Sequence, residues 1–222
     1  MDLALLRLSL QVAGVATALN LPVALVLSWL LVRRRIRGRL LIDVLVSLPL
    51  AVPPVVIGYL LLLLLGRDGP LGAAAHAILG LDLVFTWVAA ALAAAVVSFP
   101  LMVRAIMVAM GGVDERLEVA ARTLGAGVLR VALTVTMPLA YRGILAGILL
   151  GFVRAVSEFG ATIIVAGNIP GRTQTLPLAI FTSVQTGKDE QALRLVGVTV
   201  VLAFVTLVVH NWLLARDRTG RA

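Results

Sequence analysis

Few residues in the sequence have the type and spacing that chemistry on a substrate requires. The single lysine, Lys188, is followed by Asp189, so the Gly-Lys-Ser/Thr sequence of a nucleotide-binding P-loop is missing. His76 and His210 lack the spacing of metal ligands, and there is no cysteine. No Gly-x-Ser-x-Gly motif accompanies the serines. The sequence therefore predicts no catalytic residues, no metal site and no ATPase site in this chain.

The composition is that of a membrane protein. Hydrophobic residues make up 61% of the 222 residues and charged residues only 14%, with a mean hydropathy of +1.08. Soluble domains are about half apolar and about a quarter charged. The net charge of +8 comes almost wholly from arginine, since Lys188 is the only lysine. Because most arginines flank apolar runs, they indicate membrane topology rather than nucleic-acid binding.

Apolar windows predict an all-α integral membrane fold with about five transmembrane helices in a single domain, residues 1–222. The predicted spans are 8–32, 42–66, 83–110, 138–167 and 192–215. The N-terminal stretch has no basic start and no clear cleavage site, so it is predicted to be the first membrane anchor rather than a removable signal peptide.

Arginine positions predict the orientation. Residues 33–39 carry five arginines, and residues 215–221 carry three more. Positive charge is enriched in cytoplasmic loops. We therefore expect residues 33–39, the loop 111–130 and the C-terminus in the cytoplasm, and the N-terminus outside.

Prolines are densest in "LPLAVPPVVIGY", residues 48–59. Each proline removes an amide donor and kinks a helix, which a membrane protein tolerates when neighbouring groups satisfy the backbone. The kink either shapes the helix bundle or forms a bent helix that lines a path.

The segment after the third span is polar and rich in glycine. Gly111 and Gly112 permit a bend, and acidic residues then occupy the first turns of a predicted helix, where the helix dipole favours them. Its apolar residues recur at helical spacing on a face opposite its charged ones: Val113, Leu117, Ala121 and Leu124 against Glu115, Glu118 and Arg122. Gly125 and Gly127 end this helix, and a second short helix is predicted from 128 to 137. The segment either docks another protein or lies on the lipid headgroups.

The same segment resembles the "EAA" loop of ABC-type importer permeases. That pattern has Glu-Ala-Ala, three residues, Gly, nine residues and Ile-x-Leu-Pro. "EVAARTLG" (118–125) followed by "VTMP" (135–138) places the glycine on Gly125 and the proline on Pro138. Val119 stands where the pattern has glutamate, and Glu118 lies one position earlier. The resemblance assigns ATPase coupling to Glu118, Ala120, Ala121, Arg122, Thr123, Gly125 and Pro138.

Two further stretches resemble molybdate permeases: "SLPLAVPPVVIGYLLL" (47–62) and "SEFGATIIVAGNIPGRTQTLPLAIFTSVQTG" (157–187). The resemblance covers the chain from about residue 40 to its end. It implies a permease subunit of an ABC importer that moves molybdate, or tungstate, into the cytoplasm across the bacterial inner membrane. The alternatives are a sulfate/thiosulfate-type permease and a self-contained secondary anion transporter. Internal repeats would favour the secondary transporter, and this sequence has no such repeats.

The resemblance also implies partners. These are a second copy of the chain, two ABC ATPase subunits that use ATP and Mg²⁺, and a periplasmic or lipid-anchored oxyanion-binding protein. No cofactor is expected on this chain itself.

Charged residues inside the fourth span are candidates for the translocation path. Arg154 and Glu158 lie four apart near its middle, so they can pair on one helix face. They either hold the bundle together or lie on the path or its gate. Ser157, Thr162 and Asn168 offer neutral donors to an oxyanion. Residues 176–184, too short to cross, are predicted to form a short helix at the outer surface.

Overall fold

The computed structural model describes residues 3–33 and 37–219, with side chains as far as residue 215. The predicted basic segments 33–39 and 215–221 therefore lie partly outside the described residues. Every regular element within the described ranges is helical. The helices are α1 (Leu3–Arg33), α2 (Arg39–Ala51), α3 (Pro54–Leu65), α4 (Pro70–Leu79), α5 (Trp87–Gly111), α6 (Glu115–Thr123), α7 (Val128–Val131), α8 (Met137–Val156), α9 (Gly160–Val165), α10 (Leu176–Gln185) and α11 (Asp189–Thr219).

Four stretches among the described residues are long and apolar enough to cross a membrane. They are α1, α5, the continuous stretch Val128–Val156 and the part Asp189–Ala215 of α11. The pair α2 and α3 is a fifth candidate, although the chain bends by 108° between the two helices. The predicted all-α fold with about five spans is confirmed.

The predicted span over residues 42–66 is bent by 108° at its prolines. α2 ends at Ala51, Pro53 has φ −54° and ψ 135°, and Pro54 starts α3. Two consecutive prolines remove two amide donors, and the ring of Pro54 disfavours helical geometry at Pro53. The chain therefore turns sharply where the sequence predicts only a kink.

The predicted span 138–167 is also interrupted. α8 stops at Val156, and α9 is a separate short helix. The carboxylate of Glu158 accepts a hydrogen bond from the backbone N–H of Ala161 at 2.8 Å, so it caps the start of α9. Arg154 and Glu158 consequently lie in the last turn of α8 and in the break, not in the middle of a spanning helix.

Small residues bring α1, α5 and α8 close together. α5 buries six alanines between Ala89 and Ala95. On α8, Gly143, Gly147 and Gly151 recur every four residues against α5, and a Cβ at Gly143 would lie 2.5 Å from the Cβ of Ala109. Close approach at small residues is the usual means of packing membrane helices, since lipid offers no hydrophobic drive between them.

Buried hydrogen bonds tie α1 to α5 along their length. Nδ2 of Asn20 donates to the carbonyl of Ala95 at 2.9 Å, and Oγ of Ser28 donates to the carbonyl of Val103 at 3.1 Å. These bonds satisfy polar groups that would otherwise be costly to bury. They also hold the C-terminal ends of the two helices side by side, which positions Arg33.

The predicted outer helix at residues 176–184 is present as α10. Its first backbone N–H, at Leu176, donates to Oγ of Ser9 on α1 at 2.8 Å. Leu178 and Ala179 of the same helix are buried. α10 is therefore packed into the bundle rather than lying loosely over it.

The two interrupted segments cross each other at Gly58. A Cβ added to this glycine of α3 would lie 2.6 Å from the carbonyl oxygen and 2.8 Å from the Cα of Ala161 on α9. Both are backbone atoms, which cannot rotate away. Only glycine therefore fits at this crossing.

We expect Gly58→Ala to destabilise the protein by about 1–3 kcal/mol, because the added methyl group must push α3 and α9 apart. Thermal unfolding of the purified protein in detergent measures the effect. The matched control is Gly197→Ala on α11, where an added Cβ meets no atom within 4 Å and helix propensity favours alanine by about 1 kcal/mol. Equal unfolding temperatures for the two variants would contradict the close crossing.

Candidate functional site

α6 begins and ends where its sequence predicts. The side chain of Asp114 accepts a hydrogen bond from the backbone N–H of Arg116 at 2.9 Å and caps the helix. Gly125 has φ 85°, a left-handed conformation that ends the helix and that other residues rarely adopt. α6 is thus a short, independent helix between the third and fourth spans.

The predicted second short helix at residues 128–137 is helical and leads into the next span, since α7 continues without a break into α8. The connection is the π-helical segment 132–136, in which the N–H of Met137 donates to the carbonyl of Ala132. Pro138 follows directly and has no N–H to donate. The wider π turn accommodates the proline without a break, and π turns occur often at functional sites.

Three buried side chains from distant parts of the chain meet beside α6; we call Arg33, Glu118 and Thr136 the Arg33 cluster. Nε of Arg33 lies 2.8 Å from Oε1 of Glu118, and Oγ1 of Thr136 donates to the same oxygen at 2.7 Å. The side chains of Arg33 and Glu118 are 8% and 5% exposed, and Thr136 is fully buried. The cluster connects the end of α1, the middle of α6 and the π segment before α8.

The guanidinium of Arg33 also binds the end of α5. Its Nη2 donates to the carbonyls of Met110 and Val113 at 2.9 and 2.8 Å, where the helix dipole favours a cation. Its Nη1 lies 3.3 Å from Oε1 of Glu115, whose side chain is 74% exposed. All three nitrogens are therefore engaged, which compensates for the removal of the charged group from water.

The exposed surface of α6 carries apolar residues on both flanks of Glu118. Leu117, Val119 and Leu124 are 49%, 51% and 89% exposed. Val113, assigned by its spacing to the same face as Leu117 and Leu124, is instead buried. Glu118 points inward because it pairs with Arg33. Since Arg33 lies 85 residues earlier in the chain, the helical periodicity of α6 gives no sign of this contact. The arrangement provides a short helix that is anchored by a charge pair and presents leucines outward.

The other residues assigned to coupling lie on or next to α6. Nε of Arg122 donates to the carbonyl of Glu118 at 3.2 Å, and Oγ1 of Thr123 donates to the carbonyl of Ala120 at 2.7 Å. Each side chain thus folds back onto a carbonyl of its own helix, and the carbonyl of Ala120 also accepts from the backbone N–H of Leu124 at 3.2 Å. Ala120 is exposed, Ala121 is half-buried and Pro138 is exposed at the start of α8.

The residues assigned to the path fall into two groups. Arg154, Ser157 and Glu158 meet at the break between α8 and α9: Nη1 of Arg154 lies 2.9 Å from Oε2 of Glu158, and Oγ of Ser157 donates to the carbonyl of Arg154 at 3.1 Å. Thr162 is buried within α9. Asn168 belongs to a different network, since its Nδ2 donates to Oγ1 of Thr182 at 2.8 Å and its Oδ1 accepts from Gln174.

Of the first group, Ser157 is the exposed member. It lines an open groove of about 420 Å³ together with Phe159, Phe181 and Thr199. The rings of Phe159 and Phe181 pack with centroids 5.1 Å apart. The Glu158 carboxylate is already occupied by Arg154 and the N–H of Ala161, so the hydroxyls of Ser157 and Thr199 are the polar side-chain groups that line the groove.

Among the ionic contacts that were not predicted, two are between buried or half-buried side chains of different helices. Arg33 was interpreted only as a topology signal, and the sequence contains no indication of its partner. Likewise, Arg104 on α5 lies 2.9 Å from Asp43 on α2 and donates to Oγ of Ser47, although Arg104 and Asp43 served as boundary markers of spans. Opposite charges at the ends of two predicted spans are a signal that could have suggested the contact between Arg104 and Asp43.

The sequence is similar to known transport proteins along almost its whole length. Residues 20–218 match the family described as "Binding-protein-dependent transport system inner membrane component". The "Molybdenum transport system permease protein ModB" of Escherichia coli K12 is 48% identical over 217 residues, covering 96% of this chain and 95% of that protein. The protein of the same name from Haemophilus influenzae is 46% identical, covering 97% and 95%.

The chain is also similar to a more distant sequence relative and to a solved structure. The sulfate transport system permease protein CysW of Synechocystis is 34% identical and covers 97% of this chain and 77% of that protein. Among solved structures, an amino acid ABC transporter crystallised with histidines superposes with a TM-score of 0.56 at 18% identity, covering 95% of this chain and 90% of the other. At that identity the superposition shows a shared fold and nothing of the substrate.

Proposed function

The chain belongs to the family of binding-protein-dependent transport system inner membrane components, and from this premise we propose that it is the permease subunit of an ABC importer for molybdate. The assignment of molybdate as the substrate rests on the 46–48% identity to molybdenum transport permeases over nearly the whole chain. Identity to the sulfate transport permease is lower, at 34%. Tungstate, a tetrahedral dianion nearly identical to molybdate, is a second substrate.

The energy source is a separate ABC ATPase. The sequence has no Gly-Lys-Ser/Thr motif to bind nucleotide phosphates, so ATP and Mg²⁺ belong to the partner chains. α6 is the element that contacts the ATPase, because it combines exposed leucines with a buried anchor. An apolar helix face set into a groove is a common mode of protein recognition.

The coupling residues divide into outward and inward contacts. Ala120 and Leu124 lie on the exposed side, where a small residue and a leucine allow a partner to approach closely. Gly125 supplies the left-handed turn that ends α6. Arg122 and Thr123 stabilise the last turn of the helix, and Glu118 is directed inward, away from the ATPase.

The orientation that follows has α6 in the cytoplasm, the C-terminus in the cytoplasm and the N-terminus outside. It is supported by the five arginines of residues 33–39. α4 and α10 then lie at the outer side, where an oxyanion-binding protein delivers its cargo. Exposed apolar residues of α3, such as Tyr59, Leu60 and Leu63, are covered by lipid or by the second copy in a homodimer.

The path runs beside the break between α8 and α9. A helix break frees backbone and side-chain groups near an otherwise apolar route, and transporters use such breaks to bind ions. The hydroxyl of Ser157 turns from the carbonyl of Arg154, to which it donates at 3.1 Å in this structure, and donates to the passing oxyanion. The pair Arg154–Glu158 holds the break in place. Thr162 and Asn168 support the walls of this region rather than contacting the oxyanion.

The proposed activity is tested by assembling the permease, the ATPase and the oxyanion-binding protein in lipid nanodiscs. We expect the molybdate-loaded and the tungstate-loaded binding protein to raise ATP turnover, and the binding protein without oxyanion to leave it unchanged. ATP turnover is measured by phosphate release. Stimulation by sulfate but not by molybdate would make the sulfate-type permease the correct function, and no stimulation by any oxyanion would overturn the importer.

Docking through α6 predicts that Leu124→Glu weakens binding of the ATPase. The affinity should fall about tenfold or more, because burial of one leucine contributes about 1.5–3 kcal/mol and the new carboxylate opposes it. The mass of the purified complex, expected as two permeases with two ATPases, measures the loss. Leu124→Met preserves an apolar side chain and should assemble normally. Full assembly of the Leu124→Glu protein would place the contact elsewhere.

The role of Ser157 predicts a loss of transport without a loss of assembly. Ser157→Ala should lower molybdate uptake into proteoliposomes about tenfold, the effect of losing one hydrogen bond to a charged ligand. Ser157→Thr retains the hydroxyl and should transport at nearly the original rate. Equal uptake by the two variants would remove Ser157 from the path.

A further inference from the structure

α6 is joined to the neighbouring chain by flexible residues on both sides. Gly111 and Gly112 precede it, and Gly125 and Gly127 follow it. Beside it lies a cavity of about 130 Å³, bounded by Trp29 of α1 and by Val128 and Val131 of α7. The backbone alone therefore provides hinges rather than a rigid connection between α6 and the spans.

The Arg33 cluster is the rigid connection that the backbone lacks. Glu118 projects from the middle of α6 and binds Arg33 of α1 and Thr136 of the π segment through one oxygen, at 2.8 and 2.7 Å. Arg33 is bound in turn to the carbonyls of Met110 and Val113 at the end of α5. A single buried charge pair thus joins α6 to α1, α5 and α8.

We propose that Arg33 is a positioning residue for transport, and that the Arg33 cluster transmits the displacement of α6 to α1 and α8. This inference rests on the proposed function, in which the ATPase moves α6. Separating a buried ion pair leaves an uncompensated charge in a poorly solvated site, so the pair resists separation. When α6 is displaced, Arg33 and Thr136 are therefore carried along and the glycine hinges absorb the change in backbone direction.

The π segment makes α8 responsive to this displacement. A π turn contains one residue more than an α turn, and it is stable only where the surroundings favour it. The bond from Thr136 to Glu118 connects this segment directly to α6. Movement of Glu118 therefore acts on the register of the helix at the point where α8 begins.

The cluster differs from a purely structural ion pair in what its loss would change. A structural pair sets how much folded complex survives, whereas a transmitting pair sets how much molybdate moves for each ATP hydrolysed. This coupling ratio is a property of each working complex and does not depend on yield. Thr136 is the best position to test, since valine has nearly its shape without the hydroxyl.

The experiment measures the coupling ratio of the full complex in proteoliposomes, with molybdate uptake and phosphate release followed together. We expect Thr136→Val to lower the ratio about tenfold while the ATPase remains bound, a change in the range found for coupled networks. Thr136→Ser restores the donor and should restore the ratio. Glu118→Gln should lower the ratio as well, because it removes the charge that holds Arg33.

Glu115→Gln is the matched control, since Glu115 is on the same helix and contacts the same arginine but is 74% exposed. It should retain the original ratio. Thr136→Val and Thr136→Ser with equal ratios, or a loss of stability in Thr136→Val with an unchanged ratio, would overturn the inference and leave the importer intact. An original complex that moves no molybdate would overturn the proposed function, and the inference with it.

Discussion

The contact between Arg33 and Glu118 is the interaction on which the end of the protein that carries α6 depends. It brings together the ends of α1 and α5, the middle of α6 and the π segment before α8, all in a site nearly closed to water. A buried charge pair is tolerated when every donor and acceptor is satisfied, and here backbone carbonyls and the hydroxyl of Thr136 complete the set. The consequence is that a nine-residue helix flanked by glycines has a defined position.

The same pair explains why α6 presents leucines outward. With Glu118 directed into the protein, Leu117, Val119 and Leu124 on its two flanks are left exposed at the surface. In a soluble protein an exposed apolar patch usually marks an interaction surface, and here it lies on the segment that links the third and fourth spans. The inward charge and the exposed leucines thus belong to one arrangement, an anchored helix with the apolar surface that the proposed docking requires.

In the spanning helices, the main structural features are small side chains at the helix contacts and breaks in two of the predicted spans. The alanines of α5 and the glycines of α8 permit close helix packing, so α1, α5 and α8 lie against one another with few gaps between them. α3 follows the break at Pro53–Pro54, and α9 follows the break at Ser157–Phe159. These two helices cross at Gly58. A displacement that enters at the start of α8 therefore has a packed route to the break at its other end.

Much of this follows from local sequence. Apolar windows of about twenty residues predict the spans, proline pairs predict a bend, and glycine after an amphipathic segment predicts the end of α6. The EAA-type spacing identified the family and predicts the coupling segment. What the tertiary structure alone decided is which side of α6 is buried, where α8 ends and which partner neutralises each charge. The reason is physical: periodicity describes one helix at a time, whereas Arg33 meets Glu118 across 85 residues of chain, and only the packing of α1 against α5 brings them together.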